Sequence, residues 1–169
     1  MLVRPRQPAD LPACIAMLAA VHQEDDYPTR WPEDPSDWVT PPSLLAAWVA
    51  VGDGVPIGHL ALVAGGKHEQ LEQLAGRPAS QIATISRLFV HPAHRRRGVG
   101  EALLRAAMAR AAERNLALVL DVVNEGRSAA VGLYERLGWQ LVGSRTASWL
   151  SPSGDRPRLR LYVLPDSSR

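Results

Sequence analysis

The chain has very little cysteine. Cys14 is the only one in 169 residues, so neither an intrachain disulfide nor a thiolate metal centre can form, and a reducing compartment is expected. It also lacks a long hydrophobic run: "SLLAAWVAVG" is too short to span a bilayer, and "MLVRPRQPAD" has no apolar signal core, which points to a cytoplasmic protein that does not engage membranes. Net charge is nearly balanced at +2, too little to argue for a nucleic-acid partner despite a pI near 9.1. Nucleotide-binding signatures are missing as well. There is no Gly-Lys-Ser/Thr of a P-loop, and the dinucleotide pattern starting at Gly98 fails because Leu103 stands where its third glycine belongs. Internal repeats and linkers are absent, so residues 1–169 read as one domain of a size that buries a single core.

What charge there is lies unevenly. Residues 22–38 carry Glu24, Asp25, Asp26, Glu33, Asp34 and Asp37 against Arg30 alone, whereas residues 85–114 carry seven arginines against Glu101 and Glu113. Such polarity can steer an anionic and a cationic ligand to different places, or simply mark two solvated faces.

Periodicity gives alternating elements. "LVRPR" reads as a strand, and "ADLPACIAMLAAVHQ" as a helix with Leu11, Cys14 or Ile15, Leu18 and Val21 on one face. The proline-dense segment "YPTRWPEDPSDWVTPP" is a loop with one helical turn near Ser36 to Val39. "LLAAWVAV" and "VPIGHLALV" flank "GDG" as a hairpin, and "AGGKHEQLEQLAGRPASQ" is a polar connection with room for one short helix. Then come a buried strand "IATISRLFVHP", a helix over Val99 to Arg114, a strand "LALVLDVV", a helix "SAAVGLYERLG" ending at Gly138, and a closing hairpin of "WQLVGSRTASWL" and "RLRLYVLP". The fold class is mixed α/β. "RLRLYVLP" looks like an exposed strand able to pair across a homodimer interface.

The segment "HPAHRRRGVGEALLRAAM" gathers three arginines at a glycine turn that opens a helix. A helix N-terminus already presents unpaired N–H groups and the positive end of the dipole, and Gly98 and Gly100 let the backbone approach a ligand closely, so the turn is physically an anion site. Solvated arginines at an ordinary helix start are the alternative.

Together with "SAAVGLYERLGW" one strand later, "LFVHPAHRRRGVGEALL" resembles the GNAT superfamily of acyl-CoA-dependent N-acyltransferases. Arg95, Gly98 and Gly100 match its Gln/Arg-x-x-Gly-x-Gly/Ala signature, and the order of elements fits along nearly the whole chain. The resemblance implies a central, mostly antiparallel mixed sheet of about seven strands flanked by about four helices. It also implies acetyl-CoA as acyl donor, no metal, and a primary amine of a small molecule or peptide as acceptor.

Site residues follow from the same resemblance. The coenzyme's diphosphate would sit on the amides of Arg96, Arg97, Gly98, Val99, Gly100 and Glu101, with Arg95, Arg96 and Arg97 available to its oxygens. The pantetheine arm would pair with Leu88, Phe89 and Val90, one of whose amides would polarise the thioester carbonyl. Tyr134 matches the tyrosine that protonates the departing thiolate, although it also suits an ordinary packing role under the sheet. Arg127 stands where many members carry an asparagine that contacts pantetheine. Either Arg127 or Asn124 would serve. His59, Asp121 and the acidic loop are candidate bases by residue type, and none is preferred. Asp25, Asp26, Tyr27, Trp31 and Trp38 could cage a cationic amine, or the tryptophans could plug the loop's core. A non-catalytic acyl-CoA sensor and a nucleic-acid-binding module are the competing functions. The second would need the arginines on phosphates and steep salt dependence, yet its arginines alternate with acids and lack interleaved aromatics.

Overall fold

The structure is a computed structural model that describes residues 1–124 and 129–166. Along the chain run β1 (Leu2–Pro5), α1 (Leu11–Asp25), α2 (Pro35–Val39), β2 (Leu44–Gly52), β3 (Val55–Ala64), α3 (Glu69–Ala75), β4 (Ile82–Val90), α4 (Val99–Glu113), β5 (Ala117–Val123), α5 (Ala129–Arg136), β6 (Gln140–Thr146) and β7 (Arg158–Val163). Three short 3-10 turns precede α1, β4 and α4. The polar connection at 64–81 does hold a short helix, α3, capped by the His68 side chain, whose Nδ1 accepts from the Leu71 N–H at 3.3 Å.

The strands form one seven-stranded mixed sheet in the order β1-β2-β3-β4-β5-β7-β6. Antiparallel ladders join β1 to β2, β2 to β3, β5 to β7 and β6 to β7, while β4 and β5 run parallel from Ile82↔Ala117 to Thr84↔Val119. One expectation needs correction here. The strand "RLRLYVLP" is β7, paired on both sides, and the edge strands are β1 and β6, so β7 offers no free ladder to a second copy. No helix among the described residues is long and apolar enough to cross a membrane.

Two compact units divide the chain, one of Met1–Val63 with Ile85–Arg110, the other of Ala64–Thr84 with Ala111–Arg169. In the first, α1 buries Cys14, Met17, Leu18 and Val21 against Val39, Val49 and Phe89. Burial pushes the Cys14 thiol up to about 11, so it is an inert core residue. Asp10 does not cap α1 with its side chain. Its carboxylate instead accepts both Nη groups of Arg4, at 2.7 and 2.9 Å, and the Gln7 N–H, and these bonds hold it below the usual carboxylate range.

Within this unit α4 packs its first turns on β3 through Gly58. A Cβ there would meet Val99 Cγ1 at 2.6 Å and Leu103 Cδ1 at 2.9 Å, so only glycine lets the start of α4 come this close. Along the helix Leu103, Leu104 and Ala107 are fully buried, while Ala102 and Ala106 are half-buried.

In the second unit Leu71, Ile82, Ala117, Val119, Ala147, Leu159 and Leu161 make the core. These come from one face of β5 and β7, with α3 laid over it. Alternate residues Tyr162 and Leu120 face the other way, where Tyr162 meets α5 through Tyr134.

Candidate functional site

The middle of β4 is bent. Arg87 has φ of 52° inside a strand, a left-handed conformation that costs energy for a residue with a Cβ and that turns its carbonyl out of the regular ladder. That carbonyl is satisfied by a side chain: the His59 Nδ1–H donates to Arg87 O at 2.8 Å. Since Nδ1 donates, Nε2 must accept, and it does so from Arg6 Nη1 at 2.9 Å. The ring is fully buried and stacked on Phe89 at 4.9 Å. Burial drives the His59 pKa down to about 4, with Arg6 and Arg87 adding charge repulsion and the bond to Arg87 O opposing them. His59 is thus a neutral structural residue with both nitrogens engaged, and it drops out as a general base.

The same network anchors the flanking loop. Arg6 also donates to Val39 O at 2.9 Å and to Thr40 Oγ1 at 2.7 Å. Arg87 lays its guanidinium over the Trp38 ring at 4.1 Å and donates from Nε to Trp38 O at 2.9 Å. Left-handed Arg87 is therefore held from its carbonyl and from its side chain. Immediately after it come Leu88, Phe89 and Val90, with Phe89 buried and the other two half-buried.

At the end of β4 the His91 N–H donates to Ile57 O at 2.9 Å, and the 3-10 turn Pro92–His94 leads into the arginines. His91 caps that turn by accepting the Ala93 N–H at 3.1 Å, and His94 stacks edge-on against it, so both shape the approach. Arg95 is extended, Arg96 is left-handed at φ 61°, and Gly98 is left-handed at φ 77°; α4 begins at Val99. Two left-handed residues in four fold the backbone into a concave turn ahead of a fifteen-residue helix, the arrangement that directs successive N–H groups to one point. Nothing lies within 4 Å of where a Gly98 Cβ would stand, so the turn opens to solvent. Arg96 and Arg97 are exposed, Gly100 and Glu101 half-buried. Glu101 accepts from Arg105 at 2.9 Å, and Arg95 forms an ion pair with Asp25 at the end of α1.

The acidic and aromatic side chains of the loop have separate partners. Trp38 is covered by Arg87, Tyr27 packs edge-on against Trp38 at 5.7 Å, and Asp25 belongs to Arg95. Asp26, left-handed at φ 54°, is exposed, and Trp31 is 41% exposed with its ring 5.4 Å from that of His22.

In the second unit Tyr134 lies on α5, 6% exposed, with its ring 6.0 Å from Trp139 and 5.9 Å from Tyr162. The buried Trp139 indole N–H has no acceptor among the described residues. Asp121 accepts from Lys67 at 2.9 Å and lies 3.6 Å from His68 Nε2. The Asn124 side-chain oxygen is taken by Arg160 Nε at 2.9 Å. Arg127 falls outside the described residues. Among those described, no cluster of three His, Cys, Asp or Glu side chains could hold a metal.

Comparison with known proteins bears on this geometry directly. The sequence model of the Acetyltransferase (GNAT) family matches residues 13–139, three quarters of the chain, and the chain belongs to that family. It is an acetyl-CoA-dependent acyltransferase by that membership. No curated protein sequence matches it significantly. Similar solved structures include the ribosomal-protein-S18-alanine N-acetyltransferase of Escherichia coli, at 20% identity and a TM-score of 0.73 over 99% of this chain and 95% of that one. Arabidopsis thaliana NAA60 in complex with acetyl-CoA matches at 20% identity and 0.73 over 96% of each chain. A GCN5-related N-acetyltransferase of Kribbella flavida matches at 25% identity and 0.71 over 97% of this chain and 96% of that one.

Three contributors escaped the sequence reading. Arg87 and Arg6 carry no pattern of their own. Gly58 does carry one, since a glycine inside a strand marks a close approach or a bend.

Proposed function

We propose that this protein moves an acetyl group from acetyl-CoA to a primary amine of a small molecule or peptide in the cytoplasm, by direct attack of the amine on the thioester. The observation that carries the reading is the concave turn at residues 95–101, where left-handed Arg96 and Gly98 precede the first turn of α4 and three arginines cluster. Its amides suit a diphosphate, and the charge of Arg96 and Arg97 suits the remaining oxygens.

Each further role follows from the residues' chemistry. Leu88, Phe89 and Val90 offer backbone groups to the pantetheine amides, beyond the ladder to β5 that ends at Thr84. An amide near Phe89 or Val90, aimed by the Arg87 bulge, stabilises the oxyanion formed when the amine's lone pair adds to the thioester carbon. As that intermediate collapses the carbon–sulfur bond breaks, Tyr134 gives its proton to the leaving thiolate, and the proton shed by the attacking nitrogen passes to water, from which the tyrosine is reprotonated. Asp26, Tyr27 and Trp31 face the acceptor, and the pantetheine-contacting role falls to Asn124 or to Arg127, which lies outside the described residues.

Turnover is the test. Purified protein with acetyl-CoA and a panel of primary amines should release free coenzyme A thiol together with a product 42 Da heavier than the amine, a shift that follows from acetyl chemistry and is on the order of tens of daltons. Tight acetyl-CoA binding without thiol release on any amine would instead identify an acyl-CoA sensor.

A further inference from the structure

Strand geometry gathers positive charge on one face of the second unit. Arg158 and Arg160 lie two apart on β7 and so share a face, at a Cα spacing of about 7 Å, and their partners across the ladder, Thr146 and Ser144 on β6, share it too. Arg158 donates to Ser144 Oγ at 2.7 Å and to Thr146 Oγ1 at 3.2 Å, and Arg160 donates from Nε to Asn124 Oδ1 at 2.9 Å. Every one of these acceptors is neutral. Among the described residues no carboxylate pairs with either guanidinium, although Arg4, Arg77, Arg95 and Arg105 each have one. Two cations are thus oriented side by side, and their partners among the described residues are neutral.

An open groove of about 450 Å³ lies at this place, lined by Asn124, Leu141, Gly143, Ser144 and Arg160. Leu141, 52% exposed, supplies an apolar wall, and Gly143 contributes no side chain. Two residues beyond Arg160, on the same face, Tyr162 meets Tyr134 ring to ring at 5.9 Å. Glu135 of α5 accepts from the Tyr162 hydroxyl at 3.3 Å.

We propose that the Arg158–Arg160 groove binds the carboxylate of the acceptor, which makes the acceptor an amino acid or short peptide rather than a polyamine. Arginine's planar fork suits a carboxylate in two parallel hydrogen bonds, and a second cation beside it repels an acceptor that carries only positive charge. Its effect on rate rests on the acetyl-transfer reading; its binding does not.

The test uses ω-amino acids of increasing chain length, each against its own carboxamide, which differs only in the anion. At the best length the carboxylate should exceed the amide in kcat/KM by about tenfold or more, and Arg160→Gln should erase that preference while leaving the amide's rate within about threefold. Equal rates for acid and amide at every length, or a preference that survives in the Arg158→Gln, Arg160→Gln double variant, overturn the proposal. Cofactor phosphate is the other source of an anion. If Arg160→Gln raises the KM for acetyl-CoA but not for its 3′-dephospho form, the groove belongs to the cofactor and the proposal fails. If no amine is acetylated at all, the acetyl-transfer reading fails separately, and calorimetric titration of the same amino acids into the protein decides the groove. Heat that disappears in Arg160→Gln supports it, and absence of heat in the unmodified protein overturns it.

Discussion

His59 and Arg87 are joined by a single hydrogen bond, from a buried imidazole N–H to a bulged carbonyl, 2.8 Å long. It settles the tautomer of the ring, because a carbonyl can only accept. From it follow the acceptor role of Nε2 toward Arg6 and the fixed direction of the backbone entering Leu88–Val90, while burial keeps the ring neutral.

Stability should therefore depend on pH through His59. Its folded pKa is lowered to about 4 from an ordinary 6.5, so below pH 6.5 the unfolded chain takes up a proton that the folded one refuses. The contribution is fully present above pH 6.5 and is lost progressively as pH falls toward 4, by about 3 kcal/mol in all. Denaturant unfolding at pH 7.5 and pH 5 measures this. A His59→Gln variant, less stable at pH 7.5, should show a flatter profile across that interval, and an equally steep one would assign the slope to other groups.

Gly58→Ala should disturb the start of α4. The added methyl would lie 2.6 Å from Val99 Cγ1, a β-branched atom that cannot swing away, so helix and strand must separate by several tenths of an ångström. A loss of about 1–3 kcal/mol in stability is expected, with weaker acetyl-CoA binding because Val99 opens the proposed diphosphate turn. Unaltered melting and affinity would show that the contact is slack.

Tyr134→Phe keeps the ring against Trp139 and Tyr162 and removes only the hydroxyl. If that group protonates the thiolate, kcat should fall by about a hundredfold or more near neutral pH while the KM for acetyl-CoA stays within a few-fold. Unchanged kcat from pH 6 to 9 would leave Tyr134 a packing residue.

Much of this was legible in the chain. The glycine turn, the helix behind it and the second motif at "LYERLGW" carry local signals, because backbone conformation there depends on residue type at fixed spacing. Alternation and punctuation likewise gave all seven strands. What stayed hidden depends on partners distant in sequence. Arg6 and His59 lie 53 apart and meet only once β1 and β3 flank β2, and nothing near Arg87 announces a bulge. The place of β7 between β5 and β6 is topological and leaves no mark in "RLRLYVLP". The partner of Trp38 was hidden for the same reason: Arg87, 49 residues away, lies over its ring.

The Arg95–Asp25 ion pair predicts a competition. Both side chains are partly exposed, so the pair is worth no more than about 1 kcal/mol. A diphosphate that recruits Arg95 must give up that bond, so Asp25→Asn should tighten acetyl-CoA binding by about two- to fivefold at low salt and by less at high salt. Weaker binding in the variant would mean that Asp25 orients Arg95 for the ligand instead of competing for it.

The central claim is that the bend from Arg95 to Glu101 holds a diphosphate. Calorimetric titration of coenzyme A beside pantetheine, which keeps the arm and lacks the diphosphate and nucleotide, measures it directly. Two charge-assisted bonds to backbone amides should make coenzyme A bind at least about a hundredfold more tightly. Equal affinity for the two, or no heat from coenzyme A at millimolar concentration, would contradict the account.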